Sequence, residues 1–280
     1  MPGATEAMTP RPDHGERSYH GSGRLKDRVA IITGGDSGIG RAVAIAFARE
    51  SADVLIAYLD EHDDARETAR WVEDAGRRVL TVPGDIRDET HCRTLVARAL
   101  KAFGRIDVLV NNAAHQASFA QIEDISAEEW EVTFQTNIHA QFYLAKAAIP
   151  HMTPGASIIN TTSINAADPN PHLLAYATTK GAIGNFTQGL SQLVADRGIR
   201  VNAVAPGPVR TKLAIAVHSQ AIIDAYHDAI PLNRYGSEQE LSNVITFLCS
   251  DKSSYVTGQT LSVDGGFQST GIGLPALRDG

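Results

Sequence analysis

Tyr176 and Lys180 stand four residues apart in "YATTK", inside a helical pattern. At that spacing two side chains share one helix face. A free phenol titrates near ~10. An ammonium group beside it favours the phenolate, so the pair can pass a proton to or from an oxygen. Ser163, in "NTTSI", offers a hydroxyl that can bond a reacting oxygen and stabilise charge developing on it. Asn137, in "QTNIHA", adds an amide. Each also has an ordinary role: Tyr-x-x-x-Lys arises by chance in helices, a serine ends a strand, an asparagine caps a turn. The chemistry requires a fold that brings all four together.

The rest of the chain predicts such a fold. Short, continuously apolar runs at 28–33, 53–58, 78–83, 106–111, 157–162, 199–205 and 260–265 read as strands buried on both faces. Helical patterns at 39–50, 63–75, 89–103, 127–152, 173–197 and 237–249 separate them. Alternation of this kind, with right-handed crossovers, gives an α/β, doubly wound parallel sheet covered on both sides. One Rossmann-type domain over residues 25–280 is expected, its seven strands in the order 3-2-1-4-5-6-7. Residues 1–24, rich in Pro, Gly and charge, read as an irregular arm laid along the body, with Met8, Pro10, Pro12 and Tyr19 as candidate anchors.

Where the first strand hands over to the first helix, "TGGDSGIG" crowds glycines into eight residues. Gly34 would permit the tight turn, Gly38 a close approach of a ligand to the backbone, and Gly40 close packing of helix on strand. The free N–H groups near Ile39, together with the helix dipole, would attract phosphate. A dinucleotide is the ligand expected at such a turn, with Asp36 and Ser37 in its wall.

The spacing T-G-x-x-x-G-x-G resembles that of the short-chain dehydrogenase/reductase family, and the resemblance runs through most of residues 25–267. "NNAA" (111–114) is similar to the family's N-N-A-G, departing at Ala114. The resemblance implies that Asn137, Ser163, Tyr176 and Lys180 form the catalytic tetrad. In it Lys180 also holds the nicotinamide ribose, and Asn137 holds a water beside the lysine. It further implies cofactor contacts from Asp85 and Ile86 at the adenine, from Asn112, Ala113 and Ala114, and from Pro206, Gly207, Val209 and Thr211 around the nicotinamide. The stretch from Met8 to Gly40 is similar to a bacterial subgroup of oxidoreductases and general-stress proteins related to glucose dehydrogenase-like enzymes. The reaction implied is hydride transfer between a nicotinamide and a small alcohol, carbonyl or sugar-like substrate. A helix after Tyr176 that packs on its mate, with Gly181, Ala182 and Gly184, implies a homotetramer.

For cofactor choice, NAD is favoured over NADP. Ser37 stands where many relatives carry a positive charge, and Leu59 and Asp60 follow the second strand. An acid near that ribose repels a 2′-phosphate. The substrate pocket is expected outside the carboxyl ends of the strands, lined by His115, Ser163, Asn165 and His172, with Gln116 nearby. Residues 208–231 read as one or two lid helices. No metal site is expected, since His218 and His227 belong to no ligand cluster.

Composition narrows the class. The chain has 280 residues and is 43% hydrophobic; 25 Lys+Arg stand against 32 Asp+Glu for a net charge of −7. Without a basic run, nucleic acid is not an expected partner. Two cysteines, Cys92 and Cys249, exclude a disulfide framework and suit a reducing cytoplasm. No apolar run reaches membrane-spanning length, so no membrane partner is expected. Two other classes remain: a catalytically silent dinucleotide sensor, which often lacks the tyrosine or lysine, and an epimerase or dehydratase, which usually has closer glycines and a larger C-terminal region.

Overall fold

The computed structural model describes residues 13–211 and 220–269. Its strands are β1 (Val29–Thr33), β2 (Asp53–Tyr58), β3 (Val79–Pro83), β4 (Val108–Asn111), β5 (Ser157–Thr161), β6 (Arg200–Pro206) and β7 (Thr260–Val263). They form one parallel sheet in the order 3-2-1-4-5-6-7. The helices are α1 (Gly38–Arg49), α2 (His62–Asp74), α3 (Glu89–Phe103), α4 (Ala127–Phe134), α5 (Ala140–Ala148), α6 (Leu174–Leu193), α7 (Gln220–Ala229) and α8 (Glu238–Cys249). Among the described residues, no helix is long and apolar enough to cross a membrane.

Alternation along the strands builds two apolar layers. Ile31, Leu55, Leu109 and Ile158 face one way, against Leu95 and Val96 of α3, Leu144 of α5 and Leu190 of α6. Ile32, Ile56, Val110 and Ile159 face the other way, against Val43 and Phe47 of α1, Val72 of α2, and Ile245 and Leu248 of α8. The inner strands are therefore buried throughout. The outermost strands, β3 and β7, are only partly covered, contrary to the expectation of full burial, because each has a neighbour on one side only. Helix starts follow the sequence: Asp88 caps α3, Ser126 caps α4, and Ser237 with Glu240 makes a reciprocal capping box on α8.

The helix expected over 127–152 is not continuous. Residues Gln135–His139 form a π-helical turn between α4 and α5, and Ile149–His151 tighten to a 3-10 turn. The π-turn centres on Asn137, whose amide engages neighbouring segments and so holds the wider turn in place. Similarly, the helix expected over 173–197 ends at Leu193, and a 3-10 turn, Ala195–Arg197, leads to left-handed Gly198.

Residues 13–24 carry no helix or strand, and they lie on the body. The Glu50 carboxylate, fully buried at the end of α1, accepts hydrogen bonds from Tyr19 Oη (2.8 Å), Ser22 N (2.9 Å), Arg24 N (2.8 Å) and Arg24 Nε (2.8 Å). Farther out, Ser18 Oγ donates to Gln239 Oε1 (2.9 Å), and His14 Nε2 lies 3.4 Å from Glu238 Oε2 on α8. Met8, Pro10 and Pro12 lie outside the described residues.

Burial alone would raise the Glu50 carboxyl, but Arg24 and the backbone N–H groups outweigh it and hold it down to about 2. Its free carboxyl value is 4.5, so its contribution is full above pH 4.5 and is lost as pH falls towards 2. Glu50→Gln should destabilise the fold by on the order of 3 kcal/mol at neutral pH, because Arg24 then lacks its counter-charge. Urea melts of variant and wild type should converge as pH falls through that window.

Candidate active site

The carboxyl ends of β1, β4, β5 and β6 lie side by side, with Ile32 paired to Val110, Asn111 to Asn160, and Thr161 to Val204. The functional candidates leave the sheet there. Thr33, at the end of β1, fastens this edge: its hydroxyl oxygen accepts from Asn112 N and Ala113 N, both at 3.0 Å. Asn112 Nδ2 in turn donates to Thr33 O at 3.1 Å. Thus Asn112 and Ala113 are pinned against the glycine-rich turn.

Within that turn Gly34 and Gly38 have φ of +63° and +54°, backbone that suits glycine. A Cβ on Gly40 would lie 1.9 Å from Gly34 O, so helix and turn touch. A Cβ on Gly38 would meet only Thr211 Cγ2, at 3.9 Å, so this backbone faces open space roofed by the segment after β6. Ser37, the N-cap of α1, makes no side-chain capping bond, and no acid occupies the first turn. The N–H groups at that end therefore remain available to an anion. These features fit a dinucleotide.

Arg41, which the sequence reading passed over, shapes this turn. Its guanidinium is fully buried, donates Nε to Asp36 O (3.0 Å), and pairs with Asp64 and Glu67 of α2, each at 3.1 Å. Thr68 Oγ1 also donates to Asp36 O, at 3.0 Å. A lone cation in the apolar run "IGRAVAIAF" was the signal for it. Farther along the sheet, Leu59 is exposed and Asp60 stands beside it. Burial, with the nearby charges of Asp36 and Asp60, raises the Glu61 carboxyl. The Arg87 guanidinium holds the Asp85 carboxyl below its usual range, and Ile86 packs partly into the core. After β6, Pro206 leads to Gly207, whose N–H donates to Val263 O (3.0 Å); Val209 is buried and bridges to Gly236.

The four acid–base candidates converge. Tyr176 and Lys180 occupy one face of α6, with Lys180 Nζ 5.1 Å from the Tyr176 ring centroid. Ser163 faces the Tyr176 hydroxyl closely enough to favour its phenolate. Ser163 Oγ accepts from Asn165 N (3.2 Å) and Nδ2 (3.3 Å). Lys180 is 2% exposed and donates to Thr161 O at 2.8 Å. Asn137 is fully buried: Oδ1 accepts from His115 N (2.7 Å), and Nδ2 donates to His115 O and Thr179 Oγ1, both at 3.0 Å.

Electrostatically the pair departs from the expected lowering of the phenol. Burial raises the Tyr176 phenol, and Ser163 is what opposes it. Burial also lowers the Lys180 ammonium to about 7. Both shifts come from desolvation, which penalises the charged form of each group in the interior.

Of the expected pocket residues, His115 bonds Glu129 through Nε2 (2.8 Å), and Asn165 Oδ1 accepts from Asn170 N (2.9 Å). His172 is exposed, with Nδ1 3.2 Å from Phe119 O. Gln116 makes no side-chain hydrogen bond among the described residues. Of the expected lid, residues 212–219, including His218, lie outside the described residues, while α7 follows them. Among the described residues, no group of three or more His, Cys, Asp or Glu side chains could hold a metal.

Comparison with known proteins places this geometry. A family model described as enoyl-(acyl carrier protein) reductase matches residues 34–268. The uncharacterized oxidoreductase YhdF of Bacillus subtilis is 49% identical over 266 residues, 95% of this chain and 92% of its own. A protein named glucose and ribitol dehydrogenase, from Daucus carota, is 42% identical, with 95% and 94% covered. Among solved structures, a short-chain dehydrogenase from Burkholderia cenocepacia in complex with NADP superposes with a TM-score of 0.84 and 31% identity, over 88% of this chain and 99% of that one.

Two glycine substitutions should separate fold from binding. Gly40→Ala should lower the melting temperature markedly, since its methyl meets backbone. Gly38→Ala should fold with a smaller loss, about 1–2 kcal/mol for its left-handed φ, yet weaken dinucleotide binding at least tenfold by calorimetry. Lys180→Met should raise stability at pH 7, because it removes a buried charge held by one carbonyl. The unfolded lysine, at 10.5, binds its proton up to higher pH than the folded one at about 7. Wild-type stability from this group therefore rises across pH 7–10.5, and the gap to the variant should narrow in denaturant melts over that range.

Proposed function

We propose a function from one established premise: the chain belongs to the short-chain dehydrogenase/reductase family of oxidoreductases. It transfers a hydride between a nicotinamide cofactor and a small hydroxylated alcohol or carbonyl compound. The observation that carries this reading is the meeting of Tyr176, Ser163 and Lys180 at the carboxyl edge of the sheet, beside an uncapped helix N-terminus. The retained tyrosine and lysine argue against a silent sensor.

The glycine-rich turn and the first turn of α1 would hold the pyrophosphate, Asp85 and Ile86 the adenine, Asn112 to Ala114 and Pro206 to Thr211 the nicotinamide half, and Lys180 its ribose. When bound, the nicotinamide supplies or accepts the hydride. Tyr176 gives its hydroxyl proton to the carbonyl oxygen, or takes it back from the alcohol. Its raised phenol keeps that proton in place until the oxygen gains charge. Ser163, beside the Tyr176 hydroxyl, orients the same oxygen and stabilises its charge. Lys180 exchanges protons near neutrality and so feeds the relay. Asn137 fixes His115 and Thr179 on either side.

For the cofactor, the carboxylates of Asp36, Asp60 and Glu61 crowd the end of β2, and Arg41 is already committed to α2. This charge supports NAD(H), although the similar Burkholderia protein is in complex with NADP. The polar wall of His115, Asn165 and His172, together with a relative named for glucose and ribitol, supports polyols, sugars and short hydroxyaldehydes as substrates. Exposed Phe142 on α5 and Leu193 on α6 leave apolar surface for the homotetramer of the reading, acting in the cytoplasm.

A panel of sugars, polyols, aldehydes and ketones, followed at the nicotinamide absorbance with each cofactor, tests the class. Tyr176→Phe should lower turnover by roughly 10²-fold or more while cofactor affinity by calorimetry stays near wild type. NAD(H) should bind about tenfold tighter than NADP(H), a difference of about 1.4 kcal/mol; tighter NADP(H) binding would reverse the assignment.

A further inference from the structure

The segment leaving β4 is tied to α6 at two points. At His115, the Asn137 amide grips backbone N and O and hands on to Thr179, whose Oγ1 also donates to Tyr176 O (2.7 Å). At Phe119, the backbone N–H donates to His172 O (2.9 Å), four residues before Tyr176. Residues 115–119 therefore run as a fixed strip beside the start of the helix that carries the proton donor. His115 is its first residue, with a side chain 35% exposed.

The imidazole is not loose in this strip. Its Nε2 lies 2.8 Å from Glu129 Oε1, which also accepts from Thr133 Oγ1 (3.1 Å). Glu129 sits in the first turn of α4, where its backbone N–H is held by the Ser126 cap (3.1 Å). A carboxylate only accepts, so Nε2 carries the proton. In the neutral ring Nδ1 is then an acceptor, and among the described residues it has no hydrogen-bond partner.

We propose that His115, oriented by Glu129, is the specificity-determining residue that accepts a hydrogen bond from a hydroxyl on the substrate's carbon skeleton, and that Glu129 is its positioning residue. This rests on the substrate class proposed above. An alkyl substrate would cover Nδ1 without satisfying it, and a site built to bond a hydroxyl discriminates against such an analogue.

The test uses the full-length enzyme and two aldehydes of equal chain length, glyceraldehyde and propanal. Its readout is the ratio of their kcat/KM values. His115→Ala should lower the glyceraldehyde-to-propanal ratio by roughly five- to tenfold, one neutral hydrogen bond's worth. Glu129→Ala should lower it in the same direction, Glu129→Gln should restore most of it, and the double variant should lose no more than His115→Ala alone. His115→Leu, which fills similar space without an acceptor, is read if the alanine variant fails to fold. An unchanged ratio in folded His115 variants overturns the assignment. A wild-type enzyme that turns over propanal but not glyceraldehyde overturns instead the substrate class on which it rests.

Discussion

The site hangs on the amide of Asn137. One side chain, fully buried, saturates the backbone of His115 on both its N–H and its carbonyl, and still reaches Thr179 on α6. It thereby joins the loop leaving β4 to the helix bearing Tyr176 and Lys180, two elements with no strand pairing between them. An α-helical Asn137 would sit in a tighter turn; the π-turn from Gln135 to His139 is the local distortion that this bond sustains. Distortion, clamp and the helix carrying Tyr176 form one mechanical unit.

Much of this was legible beforehand. Seven apolar runs became seven strands, the five inner ones most plainly, because central parallel strands are buried on both faces and leave an unmistakable pattern. The glycine turn was readable because steric demand at Gly34, Gly38 and Gly40 has few other solutions. Less was visible where a residue's partner lies far off in sequence. The π-turn cannot be seen without His115 and Thr179. Arg41 looks like a surface residue until Asp64 and Glu67 of α2 are placed against it. The protonation behaviour of Tyr176 depends on burial and on where Lys180 Nζ points, and spacing along a helix reports neither.

Three buried charges show how the molecule treats desolvation. Arg41 has two carboxylates and two carbonyls, and Glu50 has a guanidinium and several N–H and O–H donors. Both are structural, and both are amply compensated. Among the described residues Lys180 donates to a single acceptor, the Thr161 carbonyl. The least compensated of the three is the one beside Tyr176, the proton donor proposed above, as expected where stability is given up for function.

The two apolar layers also differ in when they can close. Among the described residues, the layer under α3, α5 and α6 draws on none beyond Val201, whereas the layer under α1 and α2 needs Ile245, Leu248 and Cys249 from α8. The arm repeats this long reach, joining Ser18 to Gln239. On the ribosome, chain emerges from the N-terminal end, so the first face can condense while the second still waits for its lid. Val43 and Phe47 remain uncovered by α8 until roughly the last tenth of the polypeptide is made. Nascent chains of this topology thus present a defined greasy face to chaperones, and premature termination before α8 strands that face in water.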